Sequence, residues 1–540
     1  MGERTHDPVT APARERGPVR VHFGLRGPFR GPVPFPPSPP SSPSPSGERP
    51  TPRTEPPAPG AGPDGPRPGG GRRSPLDRFF RITERGSTLA REVRGGATTF
   101  MAMAYIVLLN PVILSVPDAA GHTLDAGQVT TATAFAAAAT TLVMGVLGNV
   151  PLALAAGLSV SAVLAYQVAP VMTWPSAFGM CVIYGAVIVL LVVTGLRRLI
   201  MDAIPLAMKH AITMGIGLFV TLIGLVQAGF VTSMPGPGGV PGAKPVQLGT
   251  HDMLTGWPVL CFAVTVLLVF VLQVRRVPGA ILTGIVGGTV VAGAVHHFAG
   301  LEEKDWGGRN VPEISGSLVA TPDFGLFGKV SFGSVADAGA VTVGVIVFTL
   351  VLAGFFDAIG TIIGIGQQAG LADDEGRMPG LNKALAIDGA GGVAGGIAGA
   401  SGQTVFVEST AGVGDGARTG LASVVTGLGF TLCLFFTPLA RIIPTQVAAA
   451  ALVVIGAMMM SNARHIDWSD TATTVPVFLT TVLMPFTYSI TAGIAAGCIS
   501  YVVIKAAQGR WREPGVLMWA LAAVFLVYFA LGPLEGWLGA

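Results

Sequence analysis

Gly402-Gln403-Thr404-Val405-Phe406-Val407-Glu408-Ser409-Thr410-Ala411-Gly412 places one carboxylate inside a stretch of small, β-prone and apolar residues. A second carboxylate interrupts a long hydrophobic run at Phe355-Phe356-Asp357-Ala358-Ile359-Gly360-Thr361. An ionisable side chain held in lipid costs about 3 kcal/mol unless it faces a cavity or a partner. Asp357 and Glu408 therefore define the candidate functional site, and the remaining sequence reads as the scaffold that holds them.

That scaffold is a membrane protein. Of 540 residues, 50% are hydrophobic and 12% are charged, against roughly 25% charged in an ordinary soluble domain. Many apolar runs are long enough to span a bilayer, so the lipid bilayer is the first partner implied. The formal charge of +3 offers no basis for nucleic-acid binding. Cys181, Cys261, Cys433 and Cys498 lie in separate apolar segments; small buried residues fit them better than a disulfide framework or a metal site. No catalytic triad, metal cluster or cofactor motif is present in the sequence, and the glycines at 391–399 lie inside a span with no Lys-Ser/Thr after them, unlike a nucleotide loop. An enzyme is not expected.

Outward from the site, residues 1–74 are rich in Pro and Arg and are expected to form a disordered basic tail; the competing account is an upstream start assignment. Residues 75–95 read as an amphipathic helix at the inner membrane face, from the spacing of Leu76, Phe79, Phe80 and Ile82. Without a signal peptide, the first apolar segment is expected to insert as an anchor. Repeat 1 (96–298) has spans near 96–115, 130–148, 152–169, 176–195, 204–228, 257–274 and 279–298. An extracellular connection (299–337) follows. Repeat 2 (338–507) has spans near 338–365, 383–399, 401–415, 417–437, 444–461, 470–488 and 491–507. The C-terminal segment 508–540 carries an apolar piece, 516–531, that suits either a fifteenth span or a surface helix.

Loop charge orients this plan. With the N-terminus cytoplasmic, the inner loops receive Arg197, Arg198, Lys209, Arg275, Arg276, Arg377, Lys383, Arg418, Arg464, Lys505, Arg510 and Arg512. The outer loops receive chiefly Lys244, Lys304, Arg309, Lys329 and Arg441. This agrees with the positive-inside rule for a multi-pass protein of the cell membrane. Seven spans per half, with Ile204-Pro205 and Ile443-Pro444 opening the fifth span of each, imply an inverted repeat with a site at the midplane. The third span of each half, 152–166 and 402–416, is short and bounded by Gly or Pro. A spanning helix needs about 20 residues, so each is expected as a short extended piece followed by a short helix, tolerated at that depth only where protein or water satisfies its backbone.

Glu408 follows a β-prone run at the start of such a helix, where it is either an N-terminal cap or an acceptor for ligand N–H groups. Asp357 is either a protonatable site or a hydrogen-bond partner of a neighbouring helix. Thr361 shares its face one turn later. Phe406 either stacks on an aromatic ligand or packs; Ser161 occupies the equivalent short segment of the first half. Thr404 and Val407 flank the carboxylate. His210, His296 and His297 lie near span ends and read as interfacial, and Asp373-Asp374-Glu375 as a solvated turn.

Across residues 76–512 the sequence resembles the AzgA-like adenine/guanine/hypoxanthine permeases of the nucleobase–ascorbate transporter superfamily. The resemblance rests on LDRFFRITERGST (76–88), GGATTFMAMAYIVLLNPVIL (95–114), FFDAIGTIIGI (355–365) and, most specifically, FVESTAGVGDGARTGLASVVTGL (406–428). It implies the uracil-permease fold, an all-α polytopic membrane protein of 14 transmembrane segments in a 7+7 inverted repeat, with core and gate domains and short midplane strands in spans 3 and 10. It implies proton-coupled uptake of a purine nucleobase, with Glu408 binding substrate and Asp357, beside Thr361, as the acidic residue of the eighth span. Homodimers occur in the wider superfamily. The sequence departs from the family's Gly-Leu-Asn-Ala-Tyr at Ser159-Val160-Ser161-Ala162-Val163, where Ser161 replaces Asn, and from Ser-Pro at Ser401-Gly402. The rival classes are a same-fold carrier of another planar heterocycle or an anion, which two carboxylates disfavour, and a non-transporting scaffold working through its tail. Deleting residues 1–74 separates the last of these: a transporter keeps its uptake, measured in whole cells, and a scaffold loses its function.

Overall fold

Short polar caps and glycine stops cut the apolar sequence into helices. Thr88, Asp125, Asp470 and Ser489 each accept a hydrogen bond from a backbone N–H in the first turn of the helix that follows, satisfying a donor the helix leaves orphaned. Gly300 and Gly399 end helices in the left-handed conformation. The computed structural model describes residues 74–196, 204–232, 246–249, 253–306, 310–313, 317, 319–333, 335, 339–371 and 380–538, all within the compact unit Gly71–Ala540. The expected tail up to residue 73, the acidic turn 373–375 and the side chain of Asp357 lie outside the described residues.

The order is α1 (Pro75–Phe80), α2 (Leu89–Met103), α3 (Ile106–Ile113), α4 (Ala126–Val143), β1 (Leu154–Ala156), α5 (Leu158–Val163), α6 (Trp174–Val193), α7 (Leu206–Gln227), β2 (Val231–Thr232), β3 (Gln247–Leu248), α8 (Trp257–Val274), α9 (Ala280–Ala299), α10 (Ala340–Gln368), α11 (Leu381–Ala398), β4 (Gln403–Val405), α12 (Ser409–Gly414), α13 (Gly420–Cys433), α14 (Leu439–Ile442), α15 (Thr445–Met459), α16 (Thr471–Phe486), α17 (Ile490–Ala507) and α18 (Val516–Leu538). Among the described residues eight helices are long and apolar enough to cross a membrane, and five shorter apolar helices accompany them. The helices pack in two groups. In one, α6 lies on α11, and α13 lies on α2 and α4; in the other, α15 and α16 lie on α7, α8 on α9, and α16 on α17. α18 packs along α17 and α10, burying Met518, Ala522 and Phe525 while Leu526 and Val527 face outward.

One boundary differs from the sequence reading. The single amphipathic helix expected over 75–95 is two helices, because Arg81 turns left-handed (φ 57) and Gly86 follows at φ 70. Phe80 and Ile82 are buried against Leu421 instead of lying on lipid. The first crossing thus begins at Leu89 and carries Glu92 fully buried. Glu92 accepts from the backbone N–H groups of Arg418 (2.8 Å) and Thr419 (3.2 Å). Beside it Arg85 donates to the carbonyls of Asn149 and Arg418, and Arg94 to that of Asp415. The loop between α12 and α13 is clasped by the start of the chain's first crossing.

Close approach also constrains Gly402. A Cβ there would lie 1.5 Å from the Tyr184 hydroxyl oxygen, so a side chain at 402 and a tyrosine at 184 exclude each other. Gly402→Ala is expected to cost about 1–3 kcal/mol by overpacking and to lower the thermal stability of the detergent-solubilised protein. Gly414→Ala, whose Cβ would meet nothing within 4 Å, is expected to leave that stability unchanged in the same assay.

Candidate substrate site

The two short extended pieces meet. β1 and β4 pair antiparallel, with Leu154 opposite Val405, Ala155 opposite Thr404 and Ala156 opposite Gln403. The ladder is extended by Gly157 N–H to the Gly402 carbonyl and Phe406 N–H to the Ala153 carbonyl, both 3.0 Å. All six strand residues are buried, so the pairing satisfies backbone groups that no water reaches. Side chains close what the ladder leaves open. The Thr141 hydroxyl bonds both the N–H and the carbonyl of Leu154, and Ser409 Oγ accepts from Ala153 N–H. Asp388, on α11, accepts from Val405 N–H and from the Thr404 hydroxyl, each at 3.0 Å.

Each strand leads into a six-residue helix, β1 through Gly157 into α5 and β4 through Phe406, Val407 and Glu408 into α12. Glu408 occupies the N-cap position of α12, yet its side chain makes no capping hydrogen bond. Its Oε1 instead accepts from the Tyr105 hydroxyl at 2.6 Å. Tyr105 is fully buried, whereas Val407 is 50% exposed and Glu408 and Thr410 are partly exposed. The carboxylate is therefore partly exposed, with a protein donor behind it.

The remaining candidates divide by what their polar atoms touch. Ser161, fully buried, bonds Asn110 Oδ1 and Ser401 Oγ, both at 2.7 Å, and Asn110 donates onward to Thr133. With its proton on Asn110, Ser161 joins α3 to the turn before β4; it is not an uncommitted ligand group. The Thr404 hydroxyl is likewise held by Asp388. Phe406 is buried. Asp357 and Thr361 lie one turn apart on α10, with Thr361 partly buried. Two buried polar atoms beside the strands, Gln403 Oε1 and Ser159 Oγ, have no hydrogen-bond partner among the described residues. The histidines are occupied elsewhere: His210 bonds Asn462 and stacks on His465, and His296 accepts from Trp306. No group of three or more His, Cys, Asp or Glu able to hold a metal occurs among the described residues.

A polytopic helical bundle with two interrupted crossings paired through short strands beside a carboxylate is a membrane transport protein. Residues 90–496 match the profile of the Permease family, and the chain belongs to that family. It is similar to the adenine permease AdeQ of Escherichia coli, 36% identical over 464 residues covering 84% of this chain and 96% of the relative. It is similar as well to the guanine/hypoxanthine permease PbuG of Bacillus subtilis, 36% identical over 459 residues covering 84% and 98%. Among solved structures, the fold resembles the transmembrane domain of the cyanobacterial bicarbonate transporter BicA (TM-score 0.52, 18% identity, covering 76% of this chain and 97% of that one). It also resembles SLC26A9 (TM-score 0.55, 14% identity, covering 81% and 67%). The chain is thus a multi-pass permease and not an enzyme.

The Asp388 tie tests how the site is held. Removing one acceptor that serves two buried donors costs about 1–3 kcal/mol per unsatisfied group. Asp388→Ala is expected to lower thermal stability and to abolish transport, while Asp388→Asn, which keeps a carbonyl oxygen, retains most of the stability in a melting assay.

Proposed function

We propose that this permease imports purine nucleobases, adenine, guanine or hypoxanthine, by proton symport across the cell membrane. The carrying observation is the Glu408 carboxylate, held at 2.6 Å by Tyr105 beside the paired strands and next to exposed Val407. A carboxylate is acceptor-only, and these purines offer it ring N–H groups, with an exocyclic amino group as well in adenine and guanine; such charge-assisted hydrogen bonds are worth about 1.5–3 kcal/mol each. The names of the relatives, adenine permease and guanine/hypoxanthine permease, point to the same substrate class. Phe406 and Val407 complete the ligand's surroundings in this reading. Asp357 with Thr361 on α10 takes the coupling proton together with Glu408. The N-terminus is cytoplasmic and the fourteen crossings form two inverted sets of seven.

In this reading the group built on α2, α4, α6, α11 and α13 carries the site and moves against the group built on α7 to α9 and α15 to α17. The seam between them joins helix packing, with Gly279 close on the Met101 carbonyl, to a set of side-chain contacts. Tyr166, Phe219 and Tyr488 form a three-ring cluster with centroids 5.4–5.9 Å apart. Gln227 donates to the Val112 carbonyl at 3.1 Å and to Tyr166 at 3.3 Å. Thr491 donates to Gln167 at 2.5 Å and bonds Thr349 at 2.9 Å. Loading a proton and a neutral base on one side, sliding this seam and releasing both on the other completes the cycle.

Uptake of radiolabelled adenine, guanine, hypoxanthine and uracil, in cells lacking their own permeases, tests the proposal. Purine uptake that collapses with a protonophore is the expected result; no purine uptake despite surface expression contradicts it. Glu408→Gln, which turns an acceptor-only group into one that also presents N–H, is expected to cut uptake about 10- to 100-fold with membrane insertion intact.

A further inference from the structure

The apolar sequence of the first crossing hides one polar group aimed at the site. We infer that Tyr105 is a positioning residue for substrate binding, fixing the Glu408 carboxylate so that one oxygen is committed to the protein and the other is presented to the ligand. This rests on the purine reading of Glu408 given above.

Three observations carry it. The first is the contact itself: Tyr105 Oη lies 2.6 Å from Glu408 Oε1, in the short range of an O–H donor on a charged acceptor. No other side chain among the described residues bonds that carboxylate. The second is rigidity. Tyr105 sits in the break between α2 and α3, with Met103, Ile106 and Leu109 around it, all four fully buried. A ring packed in that way delivers its hydroxyl to one place. Glu408 is only partly buried, and without a tether its long side chain samples several rotamers.

The third observation is how the first crossing is registered against α12. Gly95 and Gly412 bring α2 and α12 into backbone contact, since a Cβ on Gly412 would lie 2.3 Å from the Gly95 carbonyl oxygen. On the same pair of elements Thr98 donates to the Asp415 carboxylate at 2.5 Å, and Glu92 holds the N–H groups of Arg418 and Thr419. Tyr105 lies further along the same crossing, at the other end of α12, where Glu408 stands. The contacts from Glu92 through Gly95 and Thr98 set the depth at which Tyr105 meets Glu408. A tyrosine that served packing alone would need no such alignment of its hydroxyl.

Pre-organising the acceptor lowers the ordering needed on binding, so its loss falls on affinity and not on the rate of the loaded carrier. The experiment is purine uptake kinetics for the wild type, Tyr105→Phe, Glu408→Asp and the double variant, with surface expression measured for each. Phe keeps the ring and removes only the hydroxyl. We expect Tyr105→Phe to raise KM about tenfold with the maximal rate within about twofold. Glu408→Asp withdraws the carboxylate from Tyr105, so Tyr105→Phe is expected to add nothing in that background. Unchanged KM in Tyr105→Phe, an equal further loss in the Glu408→Asp background, or absence of Tyr105→Phe from the membrane overturns the inference while leaving the purine reading in place. A wild type that takes up no purine overturns both.

Discussion

Peptide groups inside a membrane protein have no water to bond, and two crossings of this chain break their helices in its interior. The pairing of Leu154–Ala156 with Gln403–Val405 answers that constraint, and much of the site depends on it. It joins the two halves of the sequence through main-chain hydrogen bonds. It also sets the direction in which α5 and α12 leave the strands. Thr141, Asp388 and Ser409 then serve the strand backbone itself, so these polar residues belong to the frame and not to the ligand. Tyr184 filling the space over Gly402 is the same kind of device, exchanging a side chain on the strand approach for one on a neighbouring helix.

Within that frame, neighbouring polar side chains at Ser161, Thr404 and Asn110 have hydrogen bonds to protein, while among the described residues Tyr105 is the one side-chain donor to the Glu408 carboxylate. Beyond the site, Tyr166, Phe219 and Tyr488 pack edge to face and Gln227 and Thr491 add hydrogen bonds, while Gly279 closes on the Met101 carbonyl.

Much of this is legible in the sequence, for physical reasons that also explain the gaps. Short segments bounded by Gly or Pro, too brief to span as helices, announce the strands at 154–156 and 403–405, and a lone carboxylate after a β-prone run announces Glu408. Tyr105 is silent because a tyrosine in AMAYIVLL looks like packing; only the position of its hydroxyl distinguishes it. Asp388 lies in a run of small residues, AIDGAGG, where a single buried Asp was the available signal. The helix over 75–95 fails at Gly86-Ser87-Thr88, a stop and a cap that hydrophobic spacing alone passes over. Ser161 has partners, Asn110 and Ser401, that become neighbours only through the fold.

The most direct measurement is a structure of the protein determined with adenine, guanine or hypoxanthine bound. The base is expected at the paired strands, with a ring N–H within hydrogen-bond distance of Glu408 and Tyr105 still bonded to the other carboxylate oxygen. A base seated away from Glu408, for example in the separate cavity of about 440 Å³ lined by Leu108, Thr123, Asp125, Asn310 and Thr445, would contradict it.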